Sequence, residues 1–243
     1  MYLENKRGRI VIMIVLINED SFVEISEIGA RVTELVLGGI AIVRRDDGDN
    51  SKRSGIPVLG PLVDANTGIW QKVAPTMPQH GTDRITEWKV IDHTDFSTML
   101  QREYDGSDHP FIGMSSISFS IESSSIFSLT RTTVSENKQP VPLGTGLHTY
   151  FLPEAQFPQL SIFPIENGKS YHLEGMTEIE MHMQDKKFLI KTDPTPLETV
   201  IWAENKNDHI CVEPWWAKVG DAPLIHPDES RIETYTIQIV SSN

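Results

Sequence analysis

The sequence predicts an all-β protein built as a β-sandwich. Three observations support this prediction. Apolar and polar residues alternate in several short stretches, as they do in strands that bury one face. Amphipathic patterns long enough for a helix of about twelve residues are rare. The 15 prolines interrupt the chain at short intervals and break helices. Many short strands separated by turn signals are typical of a sandwich.

The first strand signals lie near the N-terminus. Residues 10–17 are all apolar and rich in Ile and Val, which favours a buried strand. Basic residues precede this run, as in a signal peptide, but the run is short, lacks a small-residue cleavage site and is followed by polar residues. It is also far shorter than the roughly 20 residues that span a bilayer. Alternation over 23–26 and a turn at Gly38-Gly39 predict further strands.

A hairpin is the clearest prediction in the middle of the chain. Residues 117–121 and 127–129 alternate between apolar and polar side chains, and three serines at 123–125 separate them. Residues 234–239 repeat the alternation near the C-terminus. Residues 51–86, in contrast, are rich in Gly, Pro and polar side chains, which predicts a long irregular segment of the kind that often carries function.

Charge and cysteine content exclude several classes of function. Lys and Arg number 21 against 34 Asp and Glu, so the net charge is -13. Such a chain repels polyanions, and neither a nucleic acid nor an anionic membrane is expected as a partner. The single cysteine, Cys211, allows no intrachain disulfide and no zinc site of several thiolates, and its apolar neighbours predict a buried, inert thiol. We expect a cytoplasmic protein.

The sequence lacks the common cofactor motifs. None of its eight histidines has the spacing of a helical zinc site, and no phosphate-binding glycine loop, dinucleotide fingerprint or nucleophile elbow is present. We therefore expect no metal and no cofactor.

Three segments nevertheless combine chemically useful side chains. Residues 77–84 bring amide, imidazole, carboxylate and guanidinium groups around a glycine, and residues 147–151 place His148 among aromatic side chains. Residues 211–216 place Glu213 before two tryptophans, a setting that tends to raise the pKa of a carboxyl group. The plainer alternatives are histidines with structural hydrogen bonds and a strand-end glutamate that faces water.

Five segments, read in order, resemble the aldose 1-epimerase, or galactose mutarotase-like, family. They are residues 53–57 (Arg-Ser-Gly-Ile-Pro), 79–84 (Gln-His-Gly-Thr-Asp-Arg), 142–151 (ending Gly-Leu-His-Thr-Tyr-Phe), 200–202 (Val-Ile-Trp) and 211–214 (Cys-Val-Glu-Pro). Each segment is weak evidence singly, but five in order are strong evidence, and the resemblance as a whole runs from about Met13 to Val240. The arginines favour the hexose-6-phosphate mutarotase branch.

The resemblance implies a twisted antiparallel β-sandwich with a sugar-binding groove across one sheet. It implies that Glu213 is a general base and His148 a general acid, which open and close the ring of an aldose without metal or nucleotide. His80 is implied to bind the ring oxygen or a hydroxyl group, and Gln79 a hydroxyl group. The expected partner is therefore a small sugar or sugar phosphate. A carbohydrate-binding protein that kept the groove but lost catalysis is the alternative.

The basic residues decide whether the sugar is phosphorylated. Arg53 and Arg84 are implied to hold a 6-phosphate, since a guanidinium group matches phosphate oxygens with two parallel bonds. The family's Phe-Ala has become Thr82-Asp83, which sets a carboxylate beside Arg84. If the two paired, the arginine would be occupied and the sugar would be unphosphorylated. The Thr-Asp-x-x-Tyr segment of the hexose-phosphate members, whose Asp binds substrate, has no match between His148 and Glu213.

The chain shows no internal repeat and no low-complexity linker, so we expect one domain over residues 1–243. The resemblance begins near Met13, and residues 1–12 are set apart as an N-terminal extension that the fold and the activity do not require.

Overall fold

The structure is a computed structural model that describes residues 2–4, 10–45, 53–64, 72 and 74–240. The strands are β1 (Tyr2–Glu4), β2 (Ile10–Asn18), β3 (Ser21–Ser26), β4 (Arg31–Leu37), β5 (Ile40–Ala41), β6 (Val58–Leu59), β7 (Lys89–His93), β8 (Ser97–Asp105), β9 (Ile112–Glu122), β10 (Ile126–Ser135), β11 (Val141–Pro142), β12 (Gly146–Leu147), β13 (Thr149–Phe151), β14 (Tyr171–Glu174), β15 (Glu178–Met183), β16 (Lys186–Asp193), β17 (Glu198–Trp202), β18 (Ile210–Trp215), β19 (Leu224–Ile225) and β20 (Ser230–Val240). Single-turn 3₁₀ helices lie at Asp83–Ile85, Ser123–Ser125 and Pro158–Leu160. Within the described ranges, no helix has the length and apolar character needed to cross a lipid bilayer.

The strands form antiparallel sheets, which confirms the predicted all-β fold. Strands β1 to β5 make a five-stranded sheet in chain order, and a seven-stranded sheet has the order β15-β16-β20-β10-β9-β8-β7. A six-stranded sheet has the order β14-β17-β18-β12-β6, with β13 also paired to β18. The short strands β11 and β19 pair with each other.

The predicted central hairpin is confirmed as β9 and β10. Its two strands pair over their full length, with Phe119 opposite Leu129 and Ile121 opposite Phe127. All four of these side chains are buried, and the residues between them are partly exposed, as the alternating pattern requires. The serines at 123–125 form the connecting turn.

The apolar run near the N-terminus is a strand, as predicted, but it begins at Ile10, within the residues set apart as an N-terminal extension. Strand β2 runs from Ile10 without a break through Met13 and pairs with β3. The Ile12 N–H donates to Glu27 Oε1 at 3.1 Å, and the Glu27 N–H donates to the Ile12 carbonyl at 3.2 Å. A boundary at Met13 therefore divides a strand.

The largest hydrophobic cluster joins all three large sheets. It contains Leu16 from the five-stranded sheet, Phe119 and Ile237 from the seven-stranded sheet, and Ile201 and Val212 from the six-stranded sheet. The six-stranded sheet turns one face toward this cluster. Its other face carries the residues that the sequence singled out.

Candidate active site

Strand β18 carries the proposed base on the face opposite the main core. Successive side chains of a strand point to opposite faces, so Cys211, Glu213 and Trp215 share one face while Val212 packs into the large cluster. Glu213 is only 2% exposed. Its Oε2 atom accepts a hydrogen bond from the Trp215 indole N–H at 3.1 Å, which fixes the orientation of the carboxyl group.

Neighbouring strands add aromatic side chains to this face. In the strand register, Tyr150 of β13 and Trp202 of β17 lie on either side of Cys211. On β14, His172 lies with its ring centroid 5.8 Å from that of Trp215. This face of the sheet is thus an aromatic surface around one carboxyl group, and it lies where the resemblance implies the floor of a sugar-binding groove.

His148 lies between β12 and β13 and reaches the Glu213 carboxyl group. Its backbone N–H donates to the Pro57 carbonyl at 3.0 Å, and its ring stacks on Tyr150 with centroids 4.4 Å apart. His148 Nε2 lies 3.4 Å from Glu213 Oε1, and both side chains are buried. The Nδ1 atom of His148 is also buried, and it makes no hydrogen bond to any described residue. The two proposed acid–base groups are therefore adjacent in the folded chain.

His80 lies in a loop within the segment predicted to be irregular, residues 51–86, and its ring approaches the acid–base pair. Its Nδ1 atom lies 2.7 Å from the Val63 carbonyl oxygen, which only accepts hydrogen bonds. Nδ1 therefore carries the proton, and the lone pair of Nε2 is left for a ligand. The ring centroid lies 5.3 Å from that of His148 and 6.0 Å from that of Trp215.

The loop conformation that presents His80 depends on glycine. Gly81 has a φ of +73°, and a Cβ atom at this position would lie 2.0 Å from the Gly60 carbonyl oxygen. The glycine in the polar segment of residues 77–84 is therefore required because no side chain fits at its position. The glycine permits the close approach of two loop segments.

Burial sets the protonation of the acid–base pair. It raises the pKa of Glu213 to about 8, against the opposing effects of the Trp215 N–H and the Arg84 charge. Burial also lowers the pKa of His148 well below 6.5, and the nearby His80 and Arg84 lower it further. In the sugar-free site at neutral pH, the pair therefore holds one proton, and Glu213 carries it.

Arg84 is not paired with Asp83, so the pairing that the neighbouring positions in the sequence suggested does not occupy the arginine. Asp83 points away from the groove, is 0% exposed, and accepts hydrogen bonds from Arg102, from Arg131 at 2.8 Å and from the Tyr104 hydroxyl at 2.8 Å. Arg84 lies close enough to Tyr150 and Glu213 for their charges to raise its pKa, although burial has the larger effect and lowers it. Its guanidinium group forms no ion pair with any carboxylate that the structure describes.

The remaining predicted site residues lie farther from the pair. Arg53 forms an ion pair with Glu204 and is close enough to Tyr150 to act on the pKa of its hydroxyl group. Gln79 is exposed to solvent. The structure thus brings His148, Glu213, His80 and Arg84 together, while Arg53 and Gln79 belong to the rim.

From the sequence, Trp215 has a role beside Glu213, but Tyr150 and Trp202 were missed, although they lie inside two of the segments that resemble the family. Strand register brings both to the same face: Tyr150 of β13 lies opposite Cys211 from about 60 positions away, and Trp202 of β17 lies opposite it from nine positions away. The repeated aromatic residues beside His148 and Glu213 were the available signal.

Comparison with known proteins agrees with this geometry. A sequence profile of the aldose 1-epimerase family matches residues 13–214. No curated protein matches the chain significantly. Three solved structures share its fold. A protein from Escherichia coli K12, provisionally assigned as an aldose 1-epimerase, has a TM-score of 0.79 and 16% identity, with 95% of this chain and 99% of that one covered. A galactose mutarotase-like protein from Lactobacillus casei has a TM-score of 0.74 and 15% identity, with coverage of 94% and 100%.

The third structure is a GalM/aldose epimerase homologue from Caenorhabditis elegans, with a TM-score of 0.73, 11% identity and coverage of 96% and 100%. At these identities the structures establish the fold alone. The profile match spans most of the sequence, including both residues of the acid–base pair. The chain therefore belongs to the aldose 1-epimerase family.

Proposed function

We propose that this protein is a mutarotase that interconverts the α and β anomers of a hexose or hexose 6-phosphate. The observation that carries the proposal is the buried pair of His148 and Glu213, whose Nε2 and Oε1 atoms lie 3.4 Å apart on an aromatic floor. Ring opening removes a proton from the C1 hydroxyl and supplies one to the ring oxygen. The C1 hydroxyl oxygen and the ring oxygen are both bonded to C1. Two adjacent side chains such as His148 and Glu213 can therefore reach both oxygens of one bound sugar.

In the proposed mechanism, Glu213 accepts the proton of the C1 hydroxyl while His148 donates a proton to the ring oxygen. The ring opens to the aldehyde, and rotation about the C1–C2 bond exposes the opposite face of the carbonyl group. The same two groups then close the ring with their roles reversed. Because Glu213 holds the proton in the sugar-free site, its transfer to His148 across the 3.4 Å contact prepares the pair for reaction.

His80 is proposed to accept a hydrogen bond from a sugar hydroxyl group. Burial lowers its pKa to about 4, so the imidazole is neutral at physiological pH. With Nδ1–H donating to Val63, only the Nε2 lone pair faces the groove, and it matches a hydroxyl donor rather than the ring oxygen. On the same grounds Gln79, at the exposed rim, is proposed to bind an outer hydroxyl group.

Phosphate recognition is proposed to depend mainly on Arg84. Its guanidinium group is partly buried and has no described ion-pair partner, so its hydrogen-bond donors are available. Arg53 is already engaged with Glu204, and a phosphate group would have to displace that carboxylate. The long-range field of a chain with a net charge of -13 opposes a phosphate dianion, so any preference must come from short contacts. A cytoplasmic location, where hexose phosphates occur, remains part of this proposal.

Anomer exchange measured by NMR on glucose and glucose 6-phosphate tests the function. Wild-type protein should accelerate exchange, and Glu213→Gln should reduce the rate by at least ~10²-fold while sugar binding is retained, because the change removes only the base. Glu198→Gln is the matched control, since this glutamate lies on the adjacent strand and hydrogen-bonds His172 rather than His148. Sugar binding without faster exchange in the wild type would identify a carbohydrate-binding protein instead.

A further inference from the structure

The groove floor brings three different metal-binding atoms close together. One ligand atom each from His148, Cys211 and Glu213 lies within 4.8 Å of the other two. All three side chains are buried on the same face of the sheet. An imidazole nitrogen, a thiol sulfur and a carboxylate oxygen are the donor types that bind Zn²⁺ in proteins.

The spacing of the histidine and the glutamate fits a tetrahedral ion. Bonds of about 2.0–2.1 Å from Zn²⁺ to nitrogen and oxygen place two tetrahedral ligand atoms about 3.4 Å apart. His148 Nε2 and Glu213 Oε1 are 3.4 Å apart. The Trp215 N–H holds the second carboxyl oxygen at 3.1 Å, which is the kind of outer bond that orients a metal ligand.

A second observation points to an absent ligand. His148 is 5% exposed, yet its Nδ1 atom has no hydrogen-bond partner among the described residues. A buried polar atom without a partner is costly, and it is normally satisfied by water, an ion or a ligand. Nε2, the nitrogen that faces Glu213, has the Tyr150 hydroxyl group 3.4 Å away, and this long hydrogen bond is the one that a bound cation would replace.

Local charge determines which cations can bind. Arg84 lies near this cluster, and its positive charge repels any cation. A cation that is bound by electrostatic attraction alone is therefore disfavoured, whereas one that forms strong bonds to sulfur and nitrogen can still bind. Sulfur and nitrogen donors form strong bonds to Zn²⁺ and Cd²⁺, whereas Mg²⁺ and Ca²⁺ prefer oxygen ligands. The site therefore favours the softer group of divalent cations.

We propose that His148, Cys211 and Glu213 form an inhibitory binding site for Zn²⁺ and similar soft cations. A bound cation occupies the lone pairs that the acid–base pair needs, so cation and sugar exclude each other. Binding is independent of the proposed mutarotase activity, and only the inhibition rests on it.

A Cd²⁺ titration followed by ultraviolet absorption tests the binding. Cys211 is the only cysteine, so any absorption band from a cadmium–thiolate bond must arise from it. The wild type should show a band that saturates at one equivalent of Cd²⁺. His93→Asn, which removes an exposed histidine on edge strand β7, should behave identically. Cys211→Ser should lose the band, and Cys211→Ala serves in its place if the serine variant does not fold. A wild type without the band would overturn the proposal, whatever the variants do.

Anomer exchange in the presence of Zn²⁺ tests the competition. Wild-type exchange should be inhibited, and added sugar should relieve the inhibition. Cys211→Ser should resist Zn²⁺ when its rate with the metal is divided by its own metal-free rate, a comparison that allows for any effect of this groove-floor substitution on the basal rate. Equal inhibition of wild type and Cys211→Ser would show that the cation binds elsewhere and would refute the site. If the wild type lacked exchange activity altogether, the proposed function would fail, while the cadmium band would still decide whether the site exists.

Discussion

At the scale of single residues, the proposed function rests on two ionisable groups whose pKa values are shifted from their ordinary values. Glu213 is surrounded by the indole of Trp215 and the walls of the groove, and His148 is stacked against Tyr150. Neither environment solvates a charge well, so the carboxyl group keeps its proton and the imidazole stays neutral. The pair then exchanges one proton internally instead of losing it to water.

This proton sharing gives a specific pH dependence. The reactive pair needs one proton in total, whichever group holds it. A second proton binds only at the lowered pKa of His148, well below 6.5, and the shared proton leaves at the raised pKa of Glu213, about 8. We therefore expect kcat/KM for unphosphorylated sugar to stay level across neutral pH and to fall tenfold per unit above about 8. Rates from pH 5 to 9.5 check this. If the rate instead declined as the pH fell through 6.5, the ordinary pKa of histidine, then His148 would bind its second proton as a solvated imidazole does, and water would reach the pair.

Arg84→Ala should separate phosphorylated from free sugars. Removing a charge-assisted hydrogen bond costs about 1.5–3 kcal/mol, or roughly a 10- to 150-fold loss in kcat/KM for glucose 6-phosphate. Glucose should change little, because it carries no group for the arginine to hold. Lys169→Ala, which removes an exposed cation on the protein surface, is the charge-matched control. Equal wild-type rates on the two sugars would exclude a role in phosphate selection and leave the mutarotase proposal intact.

The element scale shows how far the sequence alone could lead. Strands β9 and β10 were predictable because one buried face imposes an alternation that is visible in the residues themselves. His148 and Glu213 could be singled out because each lies among aromatic or apolar neighbours in the chain. The partner of Asp83 could not be predicted, because Arg102 and Arg131 lie 19 and 48 residues away on β8 and β10. In the sequence Asp83 is the neighbour of Arg84, but in the fold its carboxylate pairs with Arg102 and Arg131 instead.

Asp83 connects residues 77–84, here called the proposed substrate loop, to the seven-stranded sheet. Its carboxylate bonds to Arg102 and Arg131, while its carbonyl accepts the Trp88 indole N–H at 3.1 Å. His80 and Arg84 lie on either side of Asp83 in the chain, so this contact helps to position both, together with the backbone hydrogen bonds between Gly60 and the loop.

Asp83→Asn should therefore be strongly destabilising. It leaves two buried guanidinium groups without a negative partner, a change that typically costs 3–5 kcal/mol. Urea unfolding should show a loss of about that size, whereas Asp105→Asn, at an exposed position on β8, should change the free energy of unfolding by less than about 0.5 kcal/mol. If the loss at Asp83 were under about 1 kcal/mol, water would have to solvate the two arginines and the anchor would be weak.

At the scale of the whole molecule, one large hydrophobic cluster of described residues joins the three large sheets, and two smaller clusters are separate from it. The largest hydrophobic cluster draws on the five-, six- and seven-stranded sheets together. This is the physical support for the prediction of one domain. The N-terminal sheet is also connected to the residues just after the proposed substrate loop, because the Trp88 N–H donates to the Glu27 carbonyl at 2.8 Å and the Gly29 N–H donates to Thr86 at 2.7 Å.

Removing residues 1–12 tests how far that connection matters. The sequence marked these residues as dispensable, but Ile12 exchanges two hydrogen bonds with the buried Glu27. Their loss should cost about 1–3 kcal/mol, at 0.5–1.5 kcal/mol for each bond. For a chain of this size that lowers the melting temperature by roughly 2–10 °C.

A protein that starts at Ile10 keeps both bonds and should melt like the full chain. Because Asp83 anchors the loop independently, anomer exchange well below the transition should survive in both truncations. Loss of exchange in the folded Met13 protein would mean that β2 helps to position the groove through Glu27.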